Sequence, residues 1–292
     1  MSAELLSVLA VALPALVSGL VCGTAPELIA RLPEPEPDED PEPDDKPKPA
    51  GAQPSEVVEG EPEGGESVVD LPDRSEVDAD TAVLAGIGRG DTSERERDVK
   101  PLYADIAQLP SARVTLVVIG SVFGGLVGGA LGWQPALVAW TFVAAVGTIL
   151  GWIDLRTRYL PTRIIAPSYG VLAALLLLAG VLDRDIDALI RSGLGWLAFG
   201  GFFVVLWLIY PGGLGYGDVR LSGLLGLALG YVGWPDVLLG AYAGLLLGGV
   251  VGGLLSVLRV FDRKHYPFGP FMLAGAVVAL YLGDSVAQWW TG

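Results

Sequence analysis

This chain is poor in the residues that most often carry chemistry. It has one cysteine, Cys22, and one histidine, His265. A lone cysteine can form neither an intrachain disulfide nor a cysteine-rich zinc site; inside an apolar run, Cys22 reads as a small buried hydrophobe. His265 follows Arg263 and Lys264 and reads as a loop residue near headgroups, which leaves Ser/His/Asp catalysis without a constellation. No glycine-rich turn is followed by the lysine of a phosphate loop. No lysine or arginine precedes the first apolar run, residues 5–23, so that run fits a signal peptide poorly and reads as a spanning helix kinked at Pro14.

Apolar residues are what the chain does have. They make up 52% of its 292 residues, and a further 41 are glycine, too apolar a balance for one soluble domain of this length. The formal charge of −15 averages over two unlike parts. From Glu34 to Asp105 there are 23 acidic and 7 basic residues, so the remainder is close to neutral. Such acidity repels phosphate and gives no sign of a nucleic-acid partner, so none is expected. Residues 34–100 are rich in Pro, Glu, Asp, Gly and Ser and cannot bury enough surface to offset their ordering entropy. They are expected to form a disordered cytoplasmic linker, with a transient helix at Thr81–Ile87, while 101–112 lies along the membrane.

From Val114 onward the pattern is nearly continuous bilayer. Spans are expected near 114–132, 135–153, 162–182, 193–210, 219–233, 236–258 and 269–288, each close to what about 30 Å of hydrocarbon requires. The 219–233 span is short. The fold class is therefore an all-α polytopic membrane protein of about eight transmembrane helices, counting 5–23. Its divisions fall at 1–33 for the first helix, 34–113 for the acidic linker and 114–292 for a seven-helix domain. Gly124, Gly125, Gly128 and Gly129, and later Gly244, Gly248, Gly249 and Gly252, place small residues at helical spacing for close helix packing. Arg31, Arg156, Arg158, Arg163, Arg220, Arg259, Arg263 and Lys264 fall on loops of one face, whereas loop 183–192 sets Arg184 and Arg191 against three aspartates. By the positive-inside rule that basic face is cytoplasmic and the N terminus lies outside.

Two acids stand at the ends of apolar runs on that basic face. Asp154 ends the third span in Gly151-Trp152-Ile153-Asp154. Asp218 opens the sixth behind Gly212-Gly213-Leu214-Gly215-Tyr216-Gly217. An ionisable group inside a membrane segment is a functional candidate by default. Taken singly, Asp154 could pair with Arg156 or Arg158, and Asp218 could cap its helix. Together, if the bundle brings them into contact, like charges cannot both ionise cheaply, and the pair shares a proton. The ionised member then activates water while the protonated one polarises a carbonyl. Gly215 and Gly217 remove side chains where a substrate strand could run close to the backbone. Tyr266-Pro267-Phe268-Gly269-Pro270-Phe271 fixes a rigid start to the last span. A different class, a transporter or proton-coupled channel, could use the same acids, but their place at one face rather than the midplane argues against it.

These segments resemble the type IV prepilin peptidases, membrane aspartic proteases with a GxGD motif. Gly215-Tyr216-Gly217-Asp218-Val219-Arg220-Leu221 is similar to the family's GxGDVKL segment. Asp154-Leu155-Arg156-Thr157-Arg158-Tyr159-Leu160-Pro161 is similar to its other aspartate segment, and Pro267-Phe268-Gly269-Pro270-Phe271 to its PFGP motif. Gly19-Leu20-Val21-Cys22-Gly23 with Arg31-Leu32-Pro33 resembles its N-terminal stretch. The resemblance implies an endopeptidase of a bacterial inner membrane, with Asp154 and Asp218 as the catalytic pair. Gly215, Gly217, Arg220, Pro267, Gly269 and Pro270 would position the substrate. The substrates would be prepilins or pseudopilins of pilus and secretion systems, cut at the cytoplasmic face to release a short basic leader; the linker's acidity could gather such leaders. Proteolysis would need no cofactor. Two positions depart from the pattern: Arg220 stands where lysine is usual, and Thr162 where Asn or Asp follows the proline. Bifunctional members also methylate the new N terminus with S-adenosylmethionine through a cytoplasmic domain often bearing two CxxC pairs. This chain has the acidic linker there, which leaves methyl transfer open.

Overall fold

The computed structural model describes residues 2–33, 103–209, 214–252, 254 and 267–291. The acidic linker, the Thr81–Ile87 patch, Gly212, Gly213, His265 and the basic cluster at 259–264 lie outside the described residues. The described chain is helical, with no strand among the described residues. In order come α1 (Ala3–Gly23), α2 (Ala25–Ile29), α3 (Tyr103–Ala107), α4 (Ala112–Leu131), α5 (Ala136–Thr157) and α6 (Thr162–Asp183). Then follow α7 (Ile186–Ile209), α8 (Tyr216–Val232), α9 (Trp234–Leu246), a π-helical turn (Leu247–Gly252) and α10 (Gly269–Thr291). Among the described residues, seven helices are long and apolar enough to cross a membrane: α1, α4, α5, α6, α7, α9 with its π turn, and α10. The eighth, α8, has 17 residues, about 26 Å at 1.5 Å per residue, and falls just short of the hydrocarbon thickness. The protein is an all-α polytopic membrane protein.

Two helices form the centre. In α5, 83% of the most apolar window is buried inside the protein, and most of α8 is buried too. A helix apolar on every side belongs inside a bundle. The outer helices turn Leu, Val and Ile outward, as at Val8, Leu177, Leu208 and Leu238, where lipid is their natural solvent. Each acid singled out above thus sits at one end of a central helix: Asp154 in the last turn of α5, Asp218 in the first of α8.

Since lipid is as apolar as leucine, burial does not drive these helices together, and close backbone packing must. Three pairs achieve it with glycine: α1 with α4, α7 with α8, and α9 with α10. A side chain on Gly124 or Gly128 would run into the carbonyls of Pro14 and Ala10 on α1, and one on Gly120 would lie 2.6 Å from Cys22 Sγ. Gly195 faces Gly226 and Gly230 between α7 and α8, and Gly275 faces Gly244 between α10 and α9. Of the other glycines expected to pack, Gly248 seats the Phe268 ring and Gly249 faces nothing within 4 Å. Replacing Gly128 by leucine should therefore force α1 off α4 and cost about 1–3 kcal/mol or more. Gly201→Leu, where nothing lies within 4 Å, should be nearly neutral; thermal melting in detergent compares them.

One expectation needs correction. Residues 186–192 are not a loop: they form the first turns of α7, because Asp185 Oδ1 accepts the Ala188 N–H at 2.9 Å and so caps the helix. Arg191 is a structural group there. Its guanidinium donates to the carbonyls of Gly230 (2.9 Å), Tyr231 (2.7 Å) and Val232 (3.3 Å), the unsatisfied acceptors at the end of α8. In the segment after the linker, α3 packs one side against the protein. Tyr103 and Ile106 of α3 are each 2% exposed, since an amphipathic turn this apolar on one side gains by burying it.

Candidate active site

The end of α5 is set locally. Thr157 Oγ1 donates to the Ile153 carbonyl at 2.9 Å, and Arg158 takes the left-handed conformation (φ 56°) with its N–H on the Asp154 carbonyl at 2.8 Å. Pro161 lies three residues on and is followed by α6. Asp154 is thereby held in the final helical turn, 4% exposed. Its carboxylate is not salt-bridged to Arg156, whose guanidinium lies 4.6 Å over the Trp152 ring. Asp154 Oδ2 instead accepts the Gly269 N–H at 3.0 Å. Gly269 is the first residue of α10, where N–H groups lack partners within the helix. One carboxylate oxygen so caps a helix 115 residues away and ties α5 to α10.

Asp218 behaves in parallel within its own helix. It is not the N-cap; Gly215 is, and Asp218 stands three positions on, with Oδ2 reaching back to accept the Gly215 N–H at 3.2 Å. This is the acidic half of a capping box. The other oxygen, Oδ1, is buried with no protein hydrogen-bond partner. Buried polar atoms are normally satisfied, so an unpartnered carboxylate oxygen marks a place for water or a polar ligand. Asp218 is 7% exposed and lies within electrostatic reach of Asp154.

Asp154 and the start of α8 meet at Gly269. A methyl group added at Gly269 would lie 2.9 Å from Asp154 Oδ2 and 3.5 Å from Leu221 Cδ2, one turn along α8 from Asp218. Pro267 and Phe268 are buried just before it, and Pro270 is half-buried just after. The glycines ahead of Asp218 make room for the chain itself. A methyl on Gly217 would sit 2.7 Å from Leu160 Cβ, and one on Gly215 would sit 3.2 Å from Asp218 Oδ2. Among the described residues, no three His, Cys, Asp or Glu side chains gather as metal ligands.

Arg220 faces away from the carboxylates, along the start of α8. Its guanidinium donates to Thr162 Oγ1 at the start of α6 and lies 4.4 Å over the Tyr216 ring, which itself meets Trp207 of α7. Tyr169 of α6 donates to the Arg220 carbonyl at 2.6 Å. The two residues that depart from the prepilin-peptidase pattern, Thr162 and Arg220, are therefore hydrogen-bonded to each other. Tyr169, Trp207 and Tyr216 escaped the sequence reading because aromatic residues in apolar helices look like any others there. Arg220→Ala should lower stability by about 1–2 kcal/mol through the lost hydrogen bond and stacking. Arg220→Lys keeps charge without the planar stack and should fall between, as read from melting temperatures.

The fold and this pair of acids define a membrane-embedded helical bundle that presents two carboxylates at a common end. Residues 140–257, which include both, match the model of the Type IV leader peptidase family. Curated proteins named prepilin leader peptidase/N-methyltransferase are similar to the chain: one from Aeromonas hydrophila at 30% identity, covering 47% of this chain and 60% of its own length. Another, from Burkholderia pseudomallei (strain 1026b), is 34% identical over 59% of this chain and 55% of its own length. A third, from Bacillus subtilis (strain 168), is 29% identical over 62% of this chain and 68% of its own length. The chain thus spans between about half and two-thirds of these relatives. No solved structure matches it.

Proposed function

We propose that this protein is a membrane aspartic endopeptidase that removes the basic leader from prepilin-like or pseudopilin-like substrates. The observation that carries the reading is the pair itself: two buried carboxylates, each with one oxygen held by a backbone N–H and one of them with a buried, unpartnered oxygen. Backbone anchoring leaves the remaining oxygens oriented for chemistry. The ionised member removes a proton from a water molecule as its oxygen attacks the scissile carbonyl carbon, and the protonated member gives its proton to the carbonyl oxygen. The tetrahedral intermediate then collapses, breaking the C–N bond as a proton passes to the leaving amine. Neither a side-chain nucleophile nor a cofactor enters these steps.

The proposal places the site at the cytoplasmic face of a bacterial inner membrane, where the basic loop residues fall and where a basic leader remains. The match of residues 140–257 to the family model and the names of the similar proteins support the substrate class. The protein purified in lipid and mixed with a substrate carrying a basic leader should release a product shortened by that leader, as read by mass. Solute movement with no trimmed product would replace the peptidase with a transporter.

A further inference from the structure

An apolar groove of about 430 Å³ runs down the outside of the bundle between α4, α5 and α10. On α10 it extends from Pro270 to Val278, about 12 Å along the helix. Its inner end is made by Trp152, Leu155 and Pro270. Two of these flank Asp154 in sequence, and the third follows Gly269, whose N–H holds the Asp154 carboxylate. Farther from the acids, Val122 and Leu126 of α4, 57% and 42% exposed, stand beside it. The groove is therefore open to the bilayer along its length and begins at the chemistry.

We infer that this groove seats the apolar transmembrane segment of the substrate and so presents the adjoining peptide bond to the two acids. This rests on the peptidase reading above. The acids stand at the ends of apolar helices, so a scissile bond reaching them lies at the bilayer boundary, and in a membrane-anchored substrate one flank continues into hydrocarbon. An apolar helix can lay its side chains into such a groove as one membrane helix packs against another. Lipid tails could also lie there, but nothing about a lipid requires the groove to start beside Asp154. Holding the segment in register gives the positioning that peptide-bond attack needs.

Two measurements test it, in the full-length protein in vesicles. A photo-crosslinking residue in place of Val122 or Ala274, in the cleavage-silent Asp218→Asn background, should couple to the apolar segment of a substrate. The same residue in place of Leu177, exposed on α6, should not. Equal yields at the three positions, or coupling to lipid alone, would overturn the assignment. In otherwise wild-type protein, Ala274→Phe and Val122→Trp should raise KM about ten-fold or more for a substrate with its apolar segment. Cleavage of a short peptide spanning only the leader and scissile bond should hardly change. Unchanged KM for the long substrate, or equal loss on both, would also overturn it. The crosslinking needs no turnover, so a protein that seats the segment yet cuts nothing would defeat the peptidase reading alone.

Discussion

Asparagine at either Asp154 or Asp218 should lower cleavage of a leader-bearing substrate by at least about 10³-fold while the bundle stays folded, the size expected for removing a general acid or base. The geometry explains why chemistry and fold separate. An asparagine oxygen at 218 can still accept the Gly215 N–H, and one at 154 can still accept the Gly269 N–H. Helix capping therefore survives. What is lost is the ability to take a proton from water or give one to the carbonyl oxygen. In the proposed mechanism the acids act as a unit, so the double variant should be no slower than the slower single one. Cleavage rates set beside melting temperatures check this. Either single variant retaining a tenth of wild-type turnover, with unchanged melting, would remove that aspartate from the mechanism.

The sequence made some of this arrangement readable and hid the rest, for physical reasons. Long apolar runs announce membrane helices because the bilayer demands length and composition together, so seven of the expected spans are helices long enough to cross, while the eighth is the shorter α8. The acids stood out because charge in an apolar run is costly. Partners across the fold were not readable. Nothing local to Asp154 says that its carboxylate meets the N–H of Gly269; that depends on how α5 and α10 cross. Gly217 looked like room for a substrate, yet its space holds Leu160, which only three dimensions reveal. Arg191 read as a loop charge because the carbonyls it binds belong to another helix. The pairing of Thr162 with Arg220 was visible only as two separate departures from a pattern, until the packing of α6 on α8 joined them.

The contrast between Gly269 and Gly217 gives the sharpest test of the site. Both are glycines beside an acid, and in both an alanine methyl would land within 3 Å of a neighbour. At Gly217 the obstacle is Leu160 Cβ, fixed to backbone, so the helix start or the α5–α6 connection must move. Overpacking of that kind costs about 1–3 kcal/mol, and Gly217→Ala should show mainly as a lower melting temperature. At Gly269 the obstacle is Asp154 Oδ2, the tip of a rotatable side chain, with Leu221 at an ordinary 3.5 Å. The fold can yield there by swinging the carboxylate, and that same motion takes it off the Gly269 N–H and out of line with Asp218. A displacement of about 1 Å at reacting groups can cost roughly 10²-fold in rate. Gly269→Ala should therefore melt close to wild type and cleave about a hundred-fold more slowly, chiefly through kcat. If instead it melts early and its residual folded fraction cuts at the normal rate, Gly269 is a packing residue and the bond to Asp154 does not orient the acid.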